Sequence, residues 1–272
     1  MVRGKLSRGR PPLIGVLGAS GFVGSAFAEH LSGLGLPVAR ITRETYDSFV
    51  GTRFDHLVIA AANSSKRLGE TDPMADFDRS VRLVMKAVVD FPAECVLHLS
   101  SIDVYNDTSD PARNAEDAPV DLRTLSVYGF HKRLAEDVVR RHARRSVIFR
   151  LAGMFGANSR KGPAHDILNG LPIWVSPGSR FLLLDTTTVV RAAWDLREYG
   201  GETFNVAASD NVTLAEFSEI VGRPILKVNA HETLEYRVNV DKASRLVRLP
   251  TSREAAAEWR SSMGKTPPGK GW

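Results

Sequence analysis

The chain has 272 residues, 43% hydrophobic and 25% charged, which excludes a mostly disordered, collagenous or multi-span membrane protein. At one domain per ~150 residues the length predicts roughly two domains, and the lone cysteine, Cys95, excludes an internal disulfide or a cysteine-cluster zinc site. Thirty-six Lys and Arg against 31 Asp and Glu leave a net charge of +5.

Much of that excess is local. Arg3, Lys5, Arg8 and Arg10 precede Pro11-Pro12, so residues 1–12 read as a short solvated basic tail. No aromatic or RNA-binding motif accompanies the charge, and no nucleic-acid partner is expected. The tail lacks the apolar stretch of a secretory signal, and no run of ~18 apolar residues exists to span a membrane. The expected location is the cytoplasm.

In chain order, residues 13–17 form an apolar run that predicts a buried strand. Phe22, Val23, Ala26, Phe27, Leu31 and Leu34 then recur at helical spacing, closed by Gly33 and Gly35. Residues 37–42 and 57–61 read as strands. Phe77, Val81, Val84, Met85 and Val88 mark a helix ending before Pro92, and residues 96–100 a strand. Leu134 and Val138 place one face on a helix over about 125–143, followed by a strand at 147–151. After Gly153 glycines and prolines punctuate an irregular stretch. A strand at 181–184, a helix at 187–198 and a strand at 204–207 follow, then a helix capped by Thr213 that holds Leu214, Phe217 and Ile220. Residues 264–272 read as a flexible tail. Alternating buried strands and helices predict an α/β protein with a doubly wound parallel sheet covered on both faces.

Gly18-Ala19-Ser20-Gly21-Phe22-Val23-Gly24 lies between the first strand and the first helix. Glycines there permit a tight turn and close approach of the backbone to a diphosphate. The helix N-terminus adds free N–H groups and positive potential. An acid at the end of the second strand would favour NAD(H) by accepting from the ribose 2′-OH. This chain has Thr42-Arg43 there, and an arginine pairs with a 2′-phosphate, so NADP(H) is expected over NAD(H).

Tyr128 and Lys132 are four apart near the start of the 125–143 helix and share a face. A tyrosine near pKa 10 is a poor base at neutral pH, and an adjacent ammonium lowers that value. Ser100-Ser101 ends the 96–100 strand, where a hydroxyl would complete an oxygen-binding pair. Tyr-x-x-x-Lys alone is common by chance. With the glycine loop and the serine strand end it is specific.

This pattern resembles the extended short-chain dehydrogenase/reductase family, the NAD(P)-dependent epimerase/dehydratase group, over about residues 13–250. The resemblance rests on Gly18, Gly21 and Gly24, on the stretch from Asp55 to Ala62, on Ser100 to Tyr105, and on Tyr128 and Lys132. Residues 150–156, Arg180 to Asp185 and Phe204-Asn205-Val206 match further family stretches. It implies a Rossmann-type sheet with a small C-terminal substrate-binding lobe. By it Tyr128 is the catalytic acid/base, Lys132 its partner and Ser101, counted back from Val104-Tyr105, the substrate-binding hydroxyl. Gly18, Ser20, Gly21, Phe22, Val23, Gly24, Thr42, Arg43, Ala60, Ala61, Ala62, Leu99, Tyr128 and Lys132 would bind the cofactor. Ser101, Ile102, Asp103 and Arg180 would meet the substrate. The expected partition is 13–152 for the cofactor, with 179–206 returning to it, and 153–178 with 207–263 for the lobe.

Departures narrow the function. Ile102-Asp103 replaces the Asp-Glu of the family's sugar dehydratases, and the cysteine of its 3,5-epimerase/reductases is absent. Asn106 stands for the usual glycine after Val-Tyr and Ser80 for the usual asparagine, and the substrate region is short. Arg160 and Lys161 either touch a substrate diphosphate or are solvated. His98 is expected as a satisfied core histidine and His131 as structural or exposed. No metal-ligand spacing is present. The expectation is an NADPH-dependent ketoreductase of a nucleotide-linked 4-keto-6-deoxy sugar, with Tyr128 as proton donor. A redox-neutral sugar-nucleotide epimerase and a reductase of a non-sugar carbonyl are the alternatives, and a non-catalytic NADP(H)-sensing protein is a third class. The resemblance also implies a homodimer, for which the helices near 77–90 and 125–143 are available.

Overall fold

The computed structural model describes residues 10–263; most of the predicted basic tail and all of the predicted C-terminal tail lie outside the described residues. The first half contains β1 (Ile14–Leu17), α1 (Phe22–Gly33), β2 (Val38–Ile41), β3 (Phe54–Ile59), α2 (Lys66–Thr71), α3 (Pro73–Phe77), α4 (Leu83–Asp90), β4 (Ala93–Ser101), α5 (Val127–His142) and β5 (Ser146–Leu151). The second contains β6 (Gly153–Phe155), α6 (Pro163–Leu168), β7 (Arg180–Phe181), β8 (Leu183–Asp185), α7 (Thr186–Asp195), β9 (Thr203–Val206), β10 (Val212–Thr213), α8 (Leu214–Val221), α9 (Asp241–Ser244) and α10 (Ser252–Met263).

Six strands form one parallel sheet in the order β2-β1-β3-β4-β5-β9. β1, β4 and β5 are apolar runs buried almost throughout, as strands covered on both faces must be. α1 packs on α7 over one face, and α4 packs on α5 over the other. Strand order reverses at β1, which pairs with β2 on one side and β3 on the other. A crevice therefore opens at the carboxyl ends of β1 and β3. One apolar cluster fills the α1/α7 side and runs on into α6, α8 and α10 without a break. A smaller one sits under α4 and α5.

Several elements differ from expectation. β3 starts at Phe54, because Asp55 and His56 hide the strand; the Asp55 carboxylate accepts from Leu13 N–H at 2.7 Å. The helix expected at 77–88 is longer and interrupted, running as α3, a π-turn over Asp78–Arg82, then α4. The strand expected at 181–184 is two, since β7 pairs with β10 and β8 with β6. Of 179–206 only β9 joins the six-stranded sheet. α2 is too short to show a period, and α10 buries Ala255 and Ala256, small residues that mark no apolar stripe.

His98 lies fully buried in β4, as the sequence implied, but it is not satisfied. Neither ring nitrogen has a hydrogen-bond partner among the described residues. Burial, with Lys132 nearby, pushes its pKa down to about 3. The folded chain thus holds a neutral imidazole that the unfolded chain protonates below its ordinary value, so this site destabilises the fold as pH falls from 6.5 toward about 3. His98→Leu removes two unpaired polar atoms, so Tm measured by calorimetry at pH 7 is expected to rise by about 4 °C. The variant should also lose less stability than the parent between pH 6.5 and 4.

Candidate active site

The loop between β1 and α1 is shaped by its glycines. Gly18 has φ +85, and a Cβ there would stand 2.8 Å from the Ala61 nitrogen. A Cβ on Gly24 would stand 2.1 Å from the Gly18 oxygen, so only glycine lets α1 pack beneath its own loop. Gly24 itself does not line the cavity. Gly21 occupies the N-cap of α1, no side chain caps that end, and its first turn carries no acid. Unpaired N–H groups and the positive helix end therefore point where a diphosphate would lie. These features fit a dinucleotide.

The crevice widens into a cavity of about 1230 Å³. Gly18, Ser20, Gly21, Phe22 and Val23 line it together with Ala60, Ala61 and Ala62 beyond β3. Thr42 and Arg43 line it beyond β2, whereas Glu44 does not and accepts from Thr42 Oγ1 at 2.7 Å. Arg43 makes no ion pair among the described residues. Leu99, Ser101, Ile102, Asp103, Tyr128 and Lys132 form the opposite wall.

Local sequence explains that wall. Ser126 caps α5 by accepting from Gly129 N–H at 3.1 Å. A Cβ on Gly129 would come within 2.1 Å of the Asp103 carbonyl oxygen, so glycine here lets the first turn of α5 press against the end of β4. Tyr128 is thereby brought to Ser101. Ser101 Oγ donates to Asp103 Oδ2 at 3.0 Å, while Ser100 turns away and donates to Glu136 Oε1 at 2.7 Å. The Lys132 ammonium lies 5.4 Å from the Tyr128 ring centre. Burial pushes the Lys132 pKa down to about 8, against the pull of Asp76 and Asp103. Burial, with Asp103 adding to it, pushes the Tyr128 phenol up, so it stays protonated at neutral pH.

Arg180 is not brought to this cavity. It is exposed on β7, and the alternation of that strand turns Phe181 inward instead. Two charged residues at the site escaped sequence reasoning. Lys66, the first residue of α2, donates to Asp103 Oδ1 at 2.6 Å and to the Tyr236 hydroxyl at 3.1 Å. Asp76 is fully buried behind Tyr128, within 2.9 Å of His131 Nδ1, and accepts from Asn63 Nδ2 at 2.8 Å and Ser80 Oγ at 3.1 Å. His131 is thus buried and paired. Only the serine-rich stretch before α2 hinted at a helix start there. Among the described residues no group of His, Cys, Asp or Glu could hold a metal ion.

One turn beyond Lys132 on α5, Glu136 meets Arg150 of β5, and both are fully buried. Arg150 Nε and Nη2 donate to the two carboxylate oxygens at 3.0 and 2.8 Å. Burial alone would push Glu136 up, but Arg150 and Ser100 hold it down at about 2. Arg150 Nη1 donates to the Tyr105 hydroxyl at 2.8 Å, and Tyr105 to Asn205 Oδ1 at 2.7 Å. Asn205 Nδ2 reaches the carbonyls of Asn114 and Asn239. Glu136→Leu leaves the buried Arg150 without a counter-charge and is expected to cost about 3–5 kcal/mol in urea unfolding, whereas Arg150→Met leaves Glu136 still paired with Arg140 and is expected to cost less. The double variant should recover most of that loss.

Residues 14–173 match the model of the NAD dependent epimerase/dehydratase family, and the chain belongs to that family. It is an extended short-chain dehydrogenase/reductase, a class of enzymes that use NAD(P). No curated protein matches the chain. Among solved structures it is similar to a UDP-galactose 4-epimerase, with 24% identity over 93% of this chain and 99% of that one and a TM-score of 0.73. MoeE5 in complex with UDP-glucose and NAD is 21% identical over 93% and 100%, with a TM-score of 0.72. RMD from Pseudomonas aeruginosa, complexed with NADPH, is 16% identical over 93% and 99%, with a TM-score of 0.72. No helix among the described residues is long and apolar enough to cross a membrane.

Proposed function

We propose that the chain is an NADPH-dependent ketoreductase of a nucleotide-linked keto-sugar of the 4-keto-6-deoxy type. The observation that carries this reading is that Ser101, Tyr128 and Lys132 meet on one wall of a cavity that also holds the glycine loop and Arg43. The bound cofactor supplies a hydride to the carbonyl carbon. Tyr128, protonated at neutral pH, gives its proton to the carbonyl oxygen. Ser101 hydrogen-bonds the same oxygen, and Lys132 holds a cation beside the phenol and orients the ribose. The glycine loop and the uncapped end of α1 hold the diphosphate, and Arg43 pairs with the 2′-phosphate.

In this reading residues 13–152 with α7 and β9 form the cofactor unit, and 153–178 with 207–263 the substrate lobe. The UDP-glucose and NADPH carried by the neighbouring structures agree with it. The protein works in the cytoplasm as a homodimer, and Met74 and Val89, 68% and 61% exposed along α3 and α4, supply apolar surface for the contact. One observation favours a second reading. Val175, Phe181, Leu182, Leu234 and Tyr236 make the substrate side of the cavity apolar and aromatic. With Arg180 outside, that wall suits a non-sugar carbonyl. A redox-neutral epimerase would use the same residues and retain its cofactor through purification.

NADPH absorbance followed with a panel of nucleotide-linked 4-keto-6-deoxy sugars tests this. The parent should oxidise NADPH with at least one of them, and Tyr128→Phe should lower kcat by about 100-fold or more. No oxidation with any sugar, but oxidation with apolar ketones, would establish the second reading. Fluorescence titration checks the cofactor end. Arg43→Ala should weaken NADPH binding about tenfold and leave NADH binding unchanged.

A further inference from the structure

Residues 157–161 connect β6 to α6 and lie against the cofactor side of the cavity rather than its substrate side. Asn158 Nδ2 donates to Ser25 Oγ on α1 at 3.3 Å. The Lys161 ammonium donates to the Ser64 carbonyl, just beyond Ala60–62. The segment is therefore pinned on both flanks of the glycine loop. Between the pins Ser159 and Arg160 line the cavity, as does Lys161 itself. Glycines stand at both ends of the segment. Gly156 has φ +154, and a Cβ there would lie 2.9 Å from Thr186 Oγ1; Gly162 has φ +95. Both take backbone angles that other residues rarely adopt. Arg160 makes no ion pair among the described residues.

We propose that residues 157–161 are a strap that closes over the diphosphate of the bound dinucleotide, with Arg160 touching the phosphates and Lys161 latching the strap to Ser64. This rests on the family's use of NAD(P) and not on the keto-sugar reading. A guanidinium forms paired, charge-assisted hydrogen bonds with phosphate oxygens, and no carboxylate competes for this one. The terminal glycines absorb the backbone rotation that opening needs. Cofactor entering along the glycine loop must pass beneath the two pins. Cofactor exchange is then governed by a backbone hydrogen bond rather than by any group that meets the substrate.

The strap carries its own reporter, because Arg160 and Lys161 give two adjacent tryptic bonds. Intact protein is digested alone, with saturating NADPH or NADH, and with saturating adenosine 2′,5′-bisphosphate, which keeps the adenosine end but lacks the diphosphate bridge. Mass spectrometry of the fragments follows cleavage at 160 and 161. Dinucleotide should slow this cleavage about tenfold, and the bisphosphate should leave it within about twofold of the free protein. In a chase with excess NADP+, Arg160→Gln and Lys161→Gln should each release NADPH about tenfold faster than the parent. Arg160→Gln should leave bisphosphate affinity unchanged. Equal cleavage with and without dinucleotide, equal protection by the bisphosphate, or unchanged release in both variants overturns the proposal. Failure of both dinucleotides to bind overturns it together with the cofactor assignment. Inactivity toward every keto-sugar leaves it standing.

Discussion

The active wall depends on one buried ion pair. Glu136 and Arg150 leave water entirely, and a charge in that position is tolerable only because every partner is supplied. Ser100 and Arg140 complete the carboxylate, and Tyr105 and the Glu116 carbonyl complete the guanidinium. The pair fixes α5 to β4 and β5 one turn below Lys132, so the azimuth of α5, and with it the direction of Tyr128 and Lys132, is set from beneath. The last member of the network around it arrives late in the chain. Asn205, on the edge strand β9, holds Tyr105 and also gathers the backbones of Asn114 and Asn239. Residues 14–173, which match the family model, therefore draw from outside that span the partner of Tyr105, the hydroxyl that completes their buried arginine. Sheet, active wall and C-terminal segments are one mechanical unit at this point.

Much of this was legible in the sequence. Parallel strands buried on two faces are unbroken apolar runs, and β1, β4 and β5 were read close to their ends. The glycine loop, Thr42-Arg43, the serines that end β4 and the Tyr-Gly-x-x-Lys turn carry their chemistry locally, and the fold brings them to one cavity. What escaped was set by distant partners. Arg150, Tyr105 and Asn205 stand in family-like stretches, yet their work is to satisfy one another across the sheet. Lys66 and Asp76 lie on helices of six and five residues, too short to show a period. Arg180 was placed by register with the family, and a two-residue strand with its own alternation put Phe181 inside instead. His98 was read as satisfied because buried polar groups usually are, and here both nitrogens lack partners.

The π-turn at Asp78–Arg82 carries one more residue in its turn than an α-helix would. On its N-terminal side Asp76 is sealed inside, while on its C-terminal side Leu83 and Lys86 face the cavity, with Arg79 from the turn itself. Each α-helical residue advances the face by about 100°, so a single residue sets the phase between these two surfaces. Removing any one residue from the turn would leave the composition almost untouched and still rotate one surface against the other. This stretch is therefore governed by count more than by identity. Homologous chains should vary at the exposed Arg79 and Arg82 while holding the length of 78–82, and an insertion or deletion there would mark a lineage whose site has been rebuilt.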